Sequence, residues 1–163
     1  MKQERIAIVP GSFDPITNGH LYVIKKAAQE YSKVYVAVMI NDQKKYMFTL
    51  EEREAIARAA VADLPNVEVI SSSGWLWELA RDLGACAIVK GYRNEIDLEY
   101  ENKMAIFNKE RYPLADTVMI KADDSMRELS STLVRELING EKSLEEYLPI
   151  GAIEEIKKIA SGK

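Results

Sequence analysis

The sequence predicts an α/β fold: a doubly wound, five-stranded parallel sheet with helices on both faces. Short β-branched runs alternate with helix-period segments along the whole chain. The run Val34-Tyr35-Val36-Ala37-Val38-Met39-Ile40 is apolar enough to be buried on both faces, as parallel strands are. No repeat, low-complexity tract or linker interrupts the 163 residues, so residues 1–163 read as one domain.

Ile6-Ala7-Ile8-Val9 is the first strand, closed by Pro10-Gly11. From His20 to Tyr31, the residues Leu21, Val23, Ile24, Ala27, Ala28 and Tyr31 fall near helical spacing. Val34 to Ile40 is the second strand. Thr49, with Glu52 three residues on, is a capping-box signature opening a helix through Asp63. Pro65-Asn66 turns into a third strand, Val67 to Ile70, and a helix from Trp75 to Leu83 ends at Gly84. Ala87 to Lys90 is the fourth strand, stopped by Gly91. A charged helix from Glu95 to Arg111 ends before Pro113, and Thr117 to Ile120 is the fifth strand. Ser130-Ser131-Thr132 can cap a helix running to Asn139-Gly140, and Pro149 opens a last amphipathic helix, Ile150 to Ile159.

Right-handed crossovers let strands one to three grow outward, after which strand four returns to pair beside strand one. In a Rossmann-like sheet of this kind, ligands bind at the carboxyl ends of strands where the order reverses. The loops after strands one and four are therefore expected to line one crevice.

The hydrophobic content of 47% and charged content of 29% are those of an ordinary globular protein. Net charge is −4 and the cations are dispersed, which argues against a nucleic-acid-binding face. Cys86 is the only cysteine, so no intramolecular disulfide can form and a reducing compartment is expected. Its neighbours Ala85, Ala87, Ile88 and Val89 mark it as a small buried hydrophobe. The first residues run straight into a strand without a secretory signal, and no apolar run is long enough to span a membrane. A cytoplasmic protein without a membrane partner is expected.

The unusual residues lie in the two crevice loops. The first reads Gly11-Ser12-Phe13-Asp14-Pro15-Ile16-Thr17-Asn18-Gly19-His20 and leads at once into a helix. Gly11 permits a sharp turn, Ser12 offers a hydroxyl, and Gly19 lets a flat ring or phosphate approach. His20, the only histidine, falls in the first helical turn, where the helix dipole disfavours the imidazolium. It is either a neutral hydrogen-bond donor or a plain helix-start residue. The second loop, Lys90-Gly91-Tyr92-Arg93, sets two cations at a strand end, with Lys44-Lys45 following strand two. These charges could neutralise phosphates, or in the case of Lys44-Lys45 simply be solvated. Ser130-Ser131-Thr132 is either an N-cap or an anion site at a helix start. Asp97 and Glu101, four apart on one helical face, could hold a metal or form a solvated or intersubunit charge face, and Asp14-Pro15 could order magnesium or only form a turn. Trp75 and Trp77 do not share a helical face, so one could be core and the other at a pocket mouth or subunit contact.

These stretches resemble the bacterial phosphopantetheine adenylyltransferases, nucleotidyltransferases with a Thr-x-Gly-His or His-x-Gly-His signature. Besides the first loop, Lys44-Lys45-Tyr46-Met47-Phe48-Thr49-Leu50-Glu51-Glu52-Arg53 is similar to the family's Lys-Lys-x-Met-Phe-Thr-x-Glu-Glu-Arg. Gly91-Tyr92-Arg93 with Asp97-Leu98-Glu99-Tyr100-Glu101, and Ser130-Ser131-Thr132-Leu133-Val134-Arg135-Glu136, resemble the remaining motifs in order and approximate spacing. The resemblance implies transfer of AMP from ATP to 4′-phosphopantetheine, giving dephospho-coenzyme A and pyrophosphate. It implies catalytic roles for His20, Lys44 and Arg93. ATP contacts are implied for Ser12, Phe13, His20, Gly91, Tyr92, Arg93, Glu101 and the stretch Met126, Arg127, Glu128, Leu129, Ser130, Ser131, Thr132. Acceptor contacts are implied for Ser12, Lys44, Leu76 and Lys90. It further implies nucleotide-bound Mg2+ without a dedicated protein metal site, coenzyme A as a feedback ligand, and a homo-hexamer.

Four positions depart from the family. Lys90 stands where arginine is usual, keeping the charge but losing the planar fork. Met126 stands where an aromatic residue normally precedes the serine turn. Thr132 replaces a serine, and Tyr92 a leucine. Two other readings therefore stay open: a sibling transferase acting on another phosphorylated acceptor, and a nucleotide-binding protein without catalysis.

Overall fold

The computed structural model describes residues 4–41, 43–122 and 130–162. Among them run β1 (Ile6–Gly11), α1 (Asn18–Glu30), β2 (Lys33–Met39), α2 (Leu50–Ala60), β3 (Val67–Ser72) and α3 (Leu76–Leu83). The chain continues through β4 (Ala87–Tyr92), α4 (Glu95–Arg111), β5 (Asp116–Lys121), α5 (Ser131–Asn139) and α6 (Ile150–Ser161). All strand pairs are parallel, in the order β3-β2-β1-β4-β5. The outward growth and return expected from crossover handedness are both present, so β1 and β4 are neighbours.

Local chemistry sets most boundaries. Thr49 and Glu52 form the capping box that opens α2, and Ser130 caps α5 by accepting from the Leu133 amide at 3.1 Å. Gly84 ends α3 with φ 67°, the left-handed conformation that glycine adopts without penalty. Most boundaries shift by one to three residues from the sequence reading, α2 for example ending at Ala60 rather than Asp63, and two of the shifts bear on the site. Helix α1 starts at Asn18 rather than His20, because Thr17 takes the cap. Strand β4 runs through Gly91 to Tyr92, with Gly91 in register opposite Ile120 of β5.

Residues alternate between two cores, as the strand period requires. Ala7, Val9, Val36, Val38 and Val89 face the larger one, covered by Val23 and Ile24 of α1, Ile56 of α2, Val134 of α5 and Ile153 and Ile156 of α6. Ile8, Ala37 and Ile88 face a smaller core closed mainly by Ala80 of α3. On this thinner side α4 buries only Asn108 and leaves Ile96, Tyr100 and Ile106 exposed. Neither tryptophan is core: Trp75 is exposed beside the Phe107 ring, and Trp77 is half-buried under Arg81. Cys86 is likewise only half-buried, packing against the edge of the larger core. No helix among the described residues is long and apolar enough to cross a membrane.

Candidate active site

The carboxyl ends of β1 and β4 open into a cavity of about 350 Å³. The first loop and the start of α1 supply Phe13, Thr17, Gly19 and His20, and the end of β4 supplies Lys90, Gly91, Tyr92 and Arg93. Glu101 of α4 and Ser130 and Ser131 at the start of α5 complete the polar wall. The two loops singled out by the sequence thus meet at one site.

His20 is held in one orientation from the residues around it. As the third residue of α1, its Nδ1 accepts the Thr17 amide at 3.0 Å, while its own amide donates to Thr17 Oγ1 at 3.3 Å. An Nδ1 that accepts carries no proton, so the neutral ring bears its hydrogen on Nε2. Phe13 packs against the ring edge to face at 4.9 Å. Burial first, then the positive charges of Lys90 and Arg93, lower the imidazole from its ordinary 6.5 to about 4. The sequence pointed to a neutral ring through the helix dipole; burial and two cations favour the neutral ring as well.

The cations are themselves partnered. Lys90 Nζ lies 3.3 Å from Glu101, and Arg93 Nε lies 3.3 Å from Asp97. Asp97 and Glu101 therefore serve as counter-ions to the two basic residues rather than as a solvated face. Asp14 is buried with both carboxylate oxygens occupied, accepting the amides of Met47 at 2.9 Å and Phe48 at 3.0 Å. Its duty is to tie the first loop to the segment before α2. Among the described residues no cluster of metal-ligating groups forms.

A smaller cavity of about 110 Å³ adjoins the first, sharing Lys90 and Glu101 as a common wall. Leu76, Tyr100, Met104 and Asn108 also line it. Asn108 is 6% exposed, and no hydrogen bond within the described residues occupies its side-chain amide. Asn108 was not singled out from the sequence, because an amide on a charged helix gives no sign there that it is buried.

Three expected site residues line neither cavity. Ser12 lies between Gly11 and Phe13, which both line the larger cavity, and its carbonyl accepts from Arg53 at 2.9 Å. Lys44 is exposed on the loop after β2, and Thr132 is exposed with its hydroxyl accepting from Arg135 at 3.0 Å. Met126, Arg127, Glu128 and Leu129 lie outside the described residues.

Residues 8–137 match the model of the cytidylyltransferase-like family. A phosphopantetheine adenylyltransferase of Lactobacillus acidophilus is 42% identical over 154 residues, covering 94% of this chain and 96% of its own length. One of Heliobacterium modesticaldum is 44% identical, covering 88% and 86%, and one of Clostridium tetani 40% identical, covering 97% and 99%. With a parallel α/β sheet, a Thr-x-Gly-His turn at its switch point and matches across nearly its full length, the chain belongs to the cytidylyltransferase-like family, among the phosphopantetheine adenylyltransferases.

Proposed function

We propose that this chain transfers AMP from ATP to 4′-phosphopantetheine, releasing pyrophosphate and forming dephospho-coenzyme A. The observation that carries the reading is the convergence of a neutral His20, Lys90, Arg93 and the start of α5 on one cavity. A phosphate monoester has its second pKa at about 6, so at neutral pH it is a ready nucleophile and needs no general base. Its oxygen bonds to the α-phosphorus as the bond to the bridging oxygen breaks, and the electron pair leaves with pyrophosphate. The site must hold the two phosphates in line and offset the charge that develops.

His20 Nε2–H is the donor for that charge. Lys90 and Arg93 neutralise the phosphates, and Ser130 and Ser131 present backbone amides at a helix start. Lys44 approaches from the loop after β2. Leu76, Lys90 and Asn108 place the acceptor in the smaller cavity, where the Asn108 amide matches the amide groups of the pantetheine arm. Magnesium would enter on the nucleotide, because Asp97 and Glu101 are ion-paired with Arg93 and Lys90 and each Asp14 oxygen already accepts a backbone amide. When bound, the ion neutralises phosphate charge.

The test is a matrix of nucleotides against phosphorylated acceptors with magnesium, read by pyrophosphate release. ATP with 4′-phosphopantetheine is expected to turn over, and His20→Ala to lower the rate roughly 10²–10³-fold while the fold persists. Turnover only with a different pair would replace the substrate assignment, and binding without product would replace the enzyme assignment.

The same reading extends to a cytoplasmic homo-hexamer with coenzyme A as feedback ligand. The exposed Trp75, Ile96, Tyr100 and Ile106 on the thin side of the sheet supply apolar surface for neighbouring copies. A sedimentation mass of one chain, or turnover indifferent to coenzyme A, would remove the corresponding part.

A further inference from the structure

Arg53 has no part in the chemistry above, yet it is among the most buried charged residues, 2% exposed on α2. Its Nη1 donates to the carbonyl of Ser12 at 2.9 Å and to that of Met39 at 3.3 Å. Its guanidinium carbon lies 3.8 Å from the centre of the Tyr46 ring, whose hydroxyl accepts the Asn41 amide at 3.0 Å. The Nε of Arg53 is buried with no partner among the described residues. One side chain therefore joins the crest of β1, the end of β2 and the loop that carries Lys44. Asp14 fastens the far end of that loop by accepting the Met47 and Phe48 amides.

Stability does not account for a cation in this place. Burying a guanidinium against carbonyls, with one N–H unpaired, is less favourable than packing an apolar side chain of similar size. What the planar fork supplies is direction, because its donors fix where two carbonyls and a ring can lie. The Ser12 carbonyl leads into Phe13, whose φ of 47° is in the left-handed region that a bulky residue occupies only when held there. Phe13 in turn packs on the His20 ring.

We propose that Arg53 is a positioning residue for adenylyl transfer, fixing the Ser12–Phe13 backbone beside His20 and the stem of the Lys44 loop without touching substrate. The inference rests on the function proposed above. Its test compares Arg53→Met and Arg53→Lys with the unaltered chain by pyrophosphate release, thermal unfolding and imidazole NMR.

Arg53→Met is expected to stay folded and lose roughly 10–100-fold in kcat, with KM for ATP changing less than kcat. Arg53→Lys should recover part of that loss. In a His20→Ala background Arg53→Met should cost less than in the unaltered chain, since the share of its effect that passes through the ring is already lost. The His20 imidazole resonance should also shift in the substrate-free Arg53→Met protein. A folded Arg53→Met with unaltered kcat and an unmoved imidazole, or full additivity with His20→Ala, overturns the inference. If Arg53→Met does not fold, Arg53→Lys carries the same comparison, and unaltered kcat there overturns it. An unaltered chain that does not turn over would refute the substrate reading alone, and the imidazole shift would then decide the role of Arg53.

Discussion

His20 concentrates the chemistry into one ring atom. Thr17 occupies Nδ1, so Nε2 carries the proton, and burial with Lys90 and Arg93 brings the pKa to about 4. Because the folded ring binds its proton at lower pH than the unfolded one, the unfolded chain gains the extra proton first on acidification. This contribution to stability is complete above the ordinary 6.5 and is lost as pH falls toward about 4. His20 is the only histidine, so its resonance in the free protein needs no assignment. The imidazole signal is expected to hold still from about pH 8 down to about pH 5.5, whereas a midpoint at the ordinary value would contradict the account. An acidic limb in the rate near pH 6 would then belong to the acceptor phosphate, whose second pKa is about 6.

What the sequence reveals at this scale follows from contiguity. His20, Phe13 and Gly19 share one loop, and Lys90 to Arg93 another, so a strand–loop–helix pattern brings each set to the crest. Asp14 and Arg53 were not legible in the same way, because their partners lie 33 and 41 residues away in sequence. Lys44 is a different case: a dibasic pair names a charge but not the direction its loop takes, and Lys44 lines neither cavity.

Among elements, β4 and α1 must approach closely for Lys90 and His20 to share a cavity. Gly91 makes that possible: a Cβ there would stand 2.8 Å from Val23 Cγ2 of α1. The sequence reads Gly91 as a strand stop, since glycine is a poor strand residue, but the tight helix contact is what selects it. Gly91→Ala should destabilise by about 1–3 kcal/mol and lower kcat, because His20 rides on the displaced helix. Gly151 offers the control, since its Cβ would lie 2.5 Å from the Ala59 carbonyl oxygen, where α6 meets α2 and no α6 residue lines either cavity. Gly151→Ala should lower the melting temperature at least as much yet leave kcat unchanged below the transition. Equal kcat for the two variants would break the link between helix placement and catalysis. The caps were easier to read: Thr49 with Glu52, Ser130 and Gly84 all act where their residue types predict.

At the scale of the molecule, strand alternation and crossover handedness were enough to anticipate the order β3-β2-β1-β4, while the place of β5 at the edge beyond β4 was left open. That order makes β1 and β4 neighbours and forces their loops together at the carboxyl edge. The unequal covering of the two faces was not legible, because charged α4 buries only Asn108 and its apolar residues follow no single stripe. The same helix carries the counter-ions for Lys90 and Arg93, so the thin face and the active cavity are built from one element.

The most direct test is a crystal structure with a non-hydrolysable ATP analogue. The account predicts an α-phosphate oxygen about 3 Å from His20 Nε2 and the triphosphate lying between Lys90, Arg93 and the start of α5. A triphosphate bound away from the cavity between β1 and β4, or an α-phosphate on the Nδ1 side of the ring, would contradict it.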